Sequence, residues 1–427
     1  MSTTATDRPS VAPLVALSWL AFACTAQAQD DAEADPVADT TGTEVAGSTA
    51  AATSQAGSSV GSSAIAGDIP SIPLADAVTT AGANPESIFL LGAEVPPGTS
   101  ARLSWSATEL FEGVPVSTPV LVVNGSMPGP TLCLTAAVHG DELNGIEMVR
   151  RVMHGLKPQD LSGVVVGIPI VNLQGFRRGS RYLPDRRDLN RFFPGNPNGS
   201  AASRIAHSFS TEVISHCSAV IDLHTGSFER ANLPQLRADL RNPDVVTLTQ
   251  GFGATVILHS EPAEGTLRHA ASAAGIPTVT LEAGGPSVLE LNEVKHGVKG
   301  IETLLNTLGM VRKMRLWGEP EPVYYRSTWV RANRGGILLA DVRLGSTVRQ
   351  GDLLGTITDP MNNASTKIYS PHSGRIIGMA RNQVVMPGFA AFHVGIQTAD
   401  APTDDPDADM LSHESEESSD YVDGMSE

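Results

Sequence analysis

Two strand-end motifs bring together side chains that could hold a divalent metal ion. An apolar run ends at Val138 and leads directly into His139 and Glu142, which are three residues apart. At that spacing an imidazole and a carboxylate project from the same side of a turn and can reach one cation. A second apolar run, 219–223, ends at His224 and supplies a third ligand. Two histidines and one glutamate leave a position for water, so the pattern predicts a catalytic zinc site with one Zn2+ per chain.

A fourth residue could supply the base that a hydrolytic metal site needs. Glu282 closes the apolar run 278–281 and precedes Gly284, so its carboxylate is expected at the same rim of the sheet as His224. A carboxylate beside a metal can accept a proton from water. The alternative is a carboxylate that caps a turn.

The segment 180–193 concentrates guanidinium groups in one proline-containing loop. Its charged and amide side chains are Arg181, Arg186, Arg187, Asp188, Asn190 and Arg191. Guanidinium groups beside a metal suit an anionic substrate, because arginine can form two parallel hydrogen bonds to a carboxylate. The loop therefore favours a small anionic substrate, with solvated surface arginines as the alternative. Asp188 is expected to orient the loop.

Short apolar runs rich in β-branched residues alternate with helical patterns along the central part of the chain. The predicted strands are 119–123, 131–137, 164–171, 219–223, 254–258 and 278–281. The predicted helices are 143–154, 203–216, 265–274 and 287–308. This order predicts an α/β domain with a mixed sheet over about residues 76–316. The candidate residues fall at the carboxyl ends of its strands, where such sheets carry their active sites.

Four stretches of the chain resemble the succinylglutamate desuccinylase and aspartoacylase family, a branch of the zinc carboxypeptidase clan. They are AAVHGDELNGIE, SRYLPDRRDLNRFFPG, VIDLHTG and TLEAGG, they occur in the family's order, and they extend the resemblance over about residues 118–308. The resemblance implies a zinc carboxypeptidase-like mixed sheet flanked by helices. It also implies a zinc hydrolase that cleaves the amide bond of a small N-acyl amino acid.

The same resemblance implies a role for each residue around the metal. Glu282 is expected to act as the general base, Arg181 to stabilise the tetrahedral oxyanion, and Asn190 and Arg191 to grip a substrate carboxylate. The spacing from Arg181 to Asn190 is longer than in the eukaryotic aspartoacylases, so Arg186 remains an alternative for the oxyanion role.

Other functions stay open at this stage. A metallocarboxypeptidase or a cell-wall peptide amidase would use the same ligands, and a binding module with a relic site is a third alternative. Asn232 and Arg237 either shape the acyl pocket or belong to a structural loop, and Asp222 is expected to steer a ligand histidine. The formal net charge of −17 argues against nucleic acid as a partner.

After residue 317 the pattern changes to short β segments with glycine turns, which predicts a small all-β module over 317–398. Segments 348–357 and 370–376 resemble the two halves of a biotinyl/lipoyl-type barrel-sandwich. That family attaches its cofactor to a lysine at a hairpin tip, but Lys367 lacks the usual flanking residues, so no prosthetic group is expected. We expect the module instead to shape the active-site entrance or to form a homo-oligomer contact.

The chain ends have compositions that do not suit a packed fold. Residues 1–28 resemble a signal peptide with a cleavage site at Ala28, and a lipoprotein at Cys24 is disfavoured because Ala21 stands where leucine is preferred. We therefore expect a periplasmic or secreted protein without a transmembrane span in the mature chain. Residues 29–75 are predicted to be a disordered linker and 399–427 an acidic disordered tail.

The mature chain keeps two of the three cysteines, Cys133 and Cys217. Two cysteines in a large exported protein fit one disulfide or two buried thiols, and the sequence leaves both open.

Overall fold

The computed structural model describes residues 85–111, 114–312, 323–324 and 326–396. The predicted signal peptide, the predicted linker and the predicted acidic tail all lie outside these residues. Within the described part, no helix has the length and apolar character needed to cross a membrane.

The strands alternate with helices in the first part of the chain and follow one another in the last part. The strands are β1 (Ile88–Leu90), β2 (Ala93–Val95), β3 (Thr99–Phe111), β4 (Val114–Asn124), β5 (Met127–Ala136), β6 (Ser162–Ile168), β7 (Ala219–His224), β8 (Arg230–Ala238), β9 (Val256–His259), β10 (Thr278–Gly284), β11 (Val323–Tyr324), β12 (Arg326–Arg331), β13 (Gly336–Ala340), β14 (Thr347–Val348), β15 (Leu353–Thr358), β16 (Ser365–Tyr369), β17 (Gly374–Ala380), β18 (Gln383–Val385) and β19 (Ala390–Ile396). The α-helices are α1 (Asn144–Gly155), α2 (Leu173–Arg178), α3 (Ala201–Glu212), α4 (Pro243–Gly251), α5 (Leu267–Ala273) and α6 (Leu291–Thr307).

The central sheet is mixed, as predicted. Its main path runs β12-β19-β17-β8-β10-β7-β5-β6-β4-β3. The neighbours β10, β7, β5 and β6 are parallel, whereas β8 runs antiparallel to β10 and β4 antiparallel to β6. The parallel strands are the ones that end at the candidate ligands, so their carboxyl ends share one edge.

Each face of the sheet is covered by helices and has its own apolar core. Strand β5 alternates between the two faces, because Leu132 and Leu134 pack with α1, α4 and α6 while Cys133 packs with α3 and α5. This period of two is the one expected of a strand buried on both faces. The helices therefore hold the central strands in fixed register, and with them the residues at their ends.

The structure resolves the cysteine question in favour of a disulfide. Cys133 on β5 pairs with Cys217, which lies just before β7, and their Cα atoms are 5.8 Å apart. The bond links two neighbouring strands that lead to candidate metal ligands.

The segment after His224 differs from the structural-loop alternative for Asn232 and Arg237. Residues 230–238 form strand β8, which pairs with β10 on one side and with β17 and β9 on the other. Polar side chains and Pro234 hide the strand pattern. Pro234 lies at the register shift of the β8–β10 pair, between the partners of Glu282 and Gly284.

The C-terminal module is all-β, as predicted. A four-stranded sheet of order β16-β15-β13-β18 shares an apolar core with strands β17 and β19. Strand β17 also pairs with β8, where Gly378 lies opposite Asn232, so the module extends the central sheet. Lys367 lies within strand β16, opposite Thr356. The finer barrel-sandwich and lipoyl-like form and the domain boundaries remain predictions.

Candidate active site

Three buried side chains converge as the sequence predicted for a metal site. One ligand atom from each of His139, Glu142 and His224 lies within 4.8 Å of the others. The Glu142 carboxylate lies between the two imidazoles, 2.8 Å from His139 Nδ1 and 3.0 Å from His224 Nδ1. Both rings thus turn the same nitrogen toward one point.

The strands determine this convergence. Strand β5 leads into the turn that carries His139, and β7 ends at His224. The backbone approaches closely here, since a Cβ at Gly140 would collide with the backbone of Gly175 and Phe176. Thr225 donates its backbone N–H to Glu142 at 3.0 Å, which fixes the carboxylate from the β7 side.

A carboxylate contacts the second ring nitrogen, Nε2, of each histidine. His139 Nε2 lies 3.1 Å from Asp188, and His224 Nε2 lies 2.8 Å from Asp222. Asp222 in turn accepts a hydrogen bond from Thr135 Oγ1 at 2.7 Å. Metal-binding histidines commonly present one nitrogen to the ion and the other to a carboxylate. The donor set of two imidazoles and one carboxylate fits a zinc ion on this ground.

The pKa values of this cluster reflect the attraction between its imidazoles and its carboxylates. Burial raises the pKa of Glu142, but the adjacent His139 and His224 hold it well below its usual range. Burial lowers the pKa of His224, yet Asp222 and Glu142 carry it well above its usual value. The two carboxylates therefore favour positive charge on the His224 ring.

Glu282 lies next to this cluster. Strands β10 and β7 pair in parallel with Glu282 opposite His224. Asn232 Nδ2 donates to Glu282 Oε2 at 3.1 Å, and Arg237 Nε lies 3.6 Å from Oε1. Two side chains of β8 thus orient the carboxylate.

The predicted substrate-binding residues line the same cavity as the ligands. Arg181, Asn190 and Arg191 all belong to its wall. Arg181 pairs with Asp188 at 2.8 Å and approaches Glu142 at 3.4 Å. Asn190 uses Oδ1 to accept the backbone N–H of Leu267, so it also holds the first turn of α5.

The rival oxyanion candidate lies elsewhere. Arg186 is exposed and does not line this cavity, and its φ of 67° places it at a turn. The placement of the two side chains favours Arg181.

Residues 128–308 match the family model described as the succinylglutamate desuccinylase/aspartoacylase catalytic domain. These residues are similar to the catalytic domain of that family. The N-alpha-acetyl-L-2,4-diaminobutyric acid deacetylase of Halomonas elongata is 29% identical over 257 residues, which cover 57% of this chain and 75% of that protein.

Solved structures show the same fold. A succinylglutamate desuccinylase from Silicibacter sp. TM1040 matches with a TM-score of 0.62 at 24% identity, covering 71% of this chain and 97% of that chain. An ectoine utilization protein from Ruegeria pomeroyi, solved with bound product, matches with a TM-score of 0.64 at 24% identity, covering 71% and 98%. The named deacylases do not favour the carboxypeptidase or cell-wall amidase alternative.

The cavity also contains residues that sequence reasoning missed. They include Thr225, Arg230 and Arg268 from the matched domain and Trp329 from the C-terminal module. Arg268 donates to the carbonyl of Ser260 at 2.8 Å, and Trp329 comes from strand β12 of the C-terminal module. For Arg230 the sequence offered one signal, an arginine inside a segment that forms a buried strand. For Trp329 it offered no signal, because the neighbours of Trp329 in the cavity are far away in sequence.

Proposed function

We propose that this protein is a zinc-dependent amidohydrolase that removes the acyl group from a small, anionic N-acyl amino acid. The observation that carries this proposal is one cavity in which His139, Glu142 and His224 converge and Glu282 lies beside them. The family supports a deacylase, and the arginines of the cavity support an anionic substrate.

Zinc would be held by Nδ1 of His139, Nδ1 of His224 and the carboxylate of Glu142. When bound, zinc supplies a Lewis acid that polarises the acyl carbonyl and lowers the pKa of water to roughly 7. Asp188 and Asp222 keep the two rings turned toward the ion, because each engages the opposite nitrogen.

Glu282 is proposed to accept the proton of the attacking water and to pass it to the leaving amine nitrogen. The hydrogen bond from Asn232 and the charge of Arg237 hold its two oxygens in place, so the carboxylate need not reorganise during the proton transfer. Such a base contributes on the order of 100-fold or more to the rate.

The arginines and Asn190 are proposed to handle the charges of the substrate. Arg181 lies against Glu142, so its guanidinium can stabilise negative charge that develops on the acyl oxygen. Asn190 and Arg191 lie on the same wall and are proposed to bind the carboxylate of the amino acid.

The test is hydrolysis by the full mature chain loaded with zinc. We expect turnover of N-acetyl, N-succinyl or longer N-acyl amino acids, release of the free amino acid, and loss of activity on chelation. Glu282→Gln should keep its zinc and lose at least about 100-fold in kcat. Turnover of peptides or muropeptides alone, or full activity of Glu282→Gln, would refute the proposal.

We also propose that the protein is exported and acts in the periplasm or outside the cell. The signal-like residues 1–28 support this location, and the Cys133–Cys217 disulfide suits an oxidising compartment. A fusion of residues 1–28 to a reporter that is active only after export should be active, and a fusion in which the apolar run is interrupted by arginine should not.

A further inference from the structure

His393 is a buried imidazole of the C-terminal module that the proposed mechanism does not use. It lies on strand β19 and is 2% exposed. Among the residues that the structure describes, neither of its ring nitrogens has a hydrogen-bond partner. Buried polar atoms of folded proteins are usually hydrogen-bonded, either to the protein or to an ordered water. The two nitrogens of His393 therefore call for a partner as small as a water molecule.

The ring of His393 carries a proton on one nitrogen only. Burial together with the positive charges of Arg237 and Arg230 holds the pKa of His393 well below its usual value. At neutral pH the imidazole thus has one N–H donor and one acceptor nitrogen. It can donate a hydrogen bond without adding positive charge to its surroundings.

Asn232 has an acceptor that lacks a donor. Its side chain is buried, and its Nδ2 donates to Glu282 Oε2 at 3.1 Å. Its Oδ1, in contrast, has no partner within the described ranges. If the amide turned over, this oxygen would face the Glu282 carboxylate, and two acceptors would repel each other. The position of Glu282 therefore depends on what holds Oδ1.

The sheet places Asn232 and His393 on the two sides of one glycine. Gly378 of β17 pairs with Asn232 of β8 and with His393 of β19. Residues directly opposite each other point to the same face of a sheet. A Cβ at Gly378 would lie 2.7 Å from Asn232 Oδ1 and 3.2 Å from His393 Cβ. Because residue 378 has no side chain, the amide oxygen and the base of the histidine side chain approach the same point.

Trp329 fixes the plane of the imidazole. It lies opposite His393 on strand β12, and the two rings are stacked with their centres 4.4 Å apart and their planes 10° from parallel. Trp329 also lines the cavity of the metal cluster. The nitrogens of His393 are thus held in constant directions next to the active site.

We propose that His393 is a positioning residue for the base Glu282. One ring nitrogen donates to an ordered water, the water donates to Asn232 Oδ1, and Asn232 Nδ2 donates to Glu282 Oε2. The two side chains make no direct hydrogen bond with each other, so the water completes the bridge. A strand of the C-terminal module thereby controls the direction of a carboxylate on β10. This inference rests on the proposed function, in which Glu282 is the base.

A crystal structure of the zinc-loaded mature chain tests the bridge without turnover. It should show a water within about 3.2 Å of both Asn232 Oδ1 and a ring nitrogen of His393. His393→Phe keeps a ring against Trp329 but has no donor, so its structure should lack the water and the hydrogen bond from Asn232 to Glu282. A wild type without a water at this point, or a variant that keeps the bond to Glu282, would overturn the inference.

Kinetics of three variants separate hydrogen bonding from packing. His393→Phe should lower kcat about 3- to 10-fold while KM and zinc content stay nearly unchanged, because the change affects only the base. His393→Asn and His393→Gln lose the ring but keep an N–H donor, near the position of Nδ1 and of Nε2 respectively. One of them should recover part of the lost kcat. If neither is faster than His393→Phe, packing explains the effect and the hydrogen bond does not.

A double variant tests whether His393 acts through Asn232. The kcat of Asn232→Leu with His393→Phe should equal that of Asn232→Leu alone, because the first change already breaks the bridge. Losses of kcat that multiply would contradict the bridge. His372→Phe, at an exposed position of the same module, is the control and should keep the wild-type kcat. Thermal unfolding checks that each variant is folded.

The two proposals fail on different results. If the crystal structures show the bridge and the wild type hydrolyses no N-acyl amino acid, the proposed function fails and the positioning of Glu282 stands. If the wild type is active and His393→Phe has the same kcat, the role of His393 fails and the proposed function stands.

Discussion

Glu282 and His224 lie opposite each other on neighbouring parallel strands, in the same register position of β10 and β7. A proposed base and a metal ligand therefore leave the sheet side by side. Their spacing depends on the sheet rather than on a loop, which keeps the distance between proton acceptor and metal site constant. Any change that loosens Glu282 should affect catalysis before it affects metal binding.

Asn232 provides a test of this relationship. Asn232→Leu removes the hydrogen bond to Glu282 and should lower kcat about 10-fold while the zinc content stays unchanged. Steady-state kinetics and metal analysis measure both effects. Asn333→Leu, at an exposed position of the module outside the cavity, is the control. An unchanged kcat in Asn232→Leu would argue against an orienting role.

Asp222 should influence the metal without touching it. Asp222→Asn removes the charge behind His224 and should weaken zinc affinity about 10- to 100-fold, because outer carboxylates orient ligand rings and raise their basicity. Competition with a chromophoric chelator measures the affinity. The exposed Asp341→Asn serves as the control. Equal affinities in the two variants would contradict the assignment.

The disulfide should stabilise the fold substantially. It joins residues 84 positions apart in sequence, so it restricts the unfolded chain strongly. The double variant Cys133→Ala with Cys217→Ala should lose about 2–4 kcal/mol in the free energy of unfolding, measured in urea. The wild type in a reductant should approach the variant, and a variant as stable as the oxidised wild type would show that the bond contributes little.

His393 predicts a pH dependence of stability. It is 2% exposed, and burial together with Arg237 and Arg230 holds its pKa well below the usual value. The unfolded chain therefore takes up a proton below about pH 6.5 that the folded chain does not, so stability is present above this pH and is lost as the pH falls.

His393→Phe should remove this loss and keep a ring stacked on Trp329. Between pH 6.5 and pH 5 the wild type should lose up to about 1.4 kcal/mol per pH unit more than the variant. Urea unfolding at several pH values measures the difference. Parallel stability curves for the two proteins would show that His393 does not titrate as described.

The meeting of His139, His224 and Glu282 at one edge of the sheet was predictable, because each lies at the end of an apolar strand. Strand ends at one edge of a parallel sheet meet in space, so the local pattern was sufficient to bring His139 and His224 together. Glu142 followed from its three-residue spacing to His139. Four of the six described α-helices, α1, α3, α5 and α6, overlap the predicted segments, whereas α2 and α4 were not predicted.

The remaining part of the site depends on long-range pairing. Strand β8 was not recognised, because its polar residues and Pro234 interrupt the alternation of a strand. Its identity becomes clear only from the pairs that it makes with β10 and β17. Arg230 and Trp329 are about a hundred residues apart in sequence, so no local pattern could place one over the other.

The pairing of β17 with β8 also determines where this chain can be truncated. If the chain ended before β17, residues 230–232 of β8 would lose their partner and expose N–H and C=O groups beside Asn232, whereas residues 235–238 would still pair with β9. Exposed edges of this kind invite pairing with other chains and aggregation. The C-terminal module therefore completes the pairing of the first residues of β8, next to the cavity.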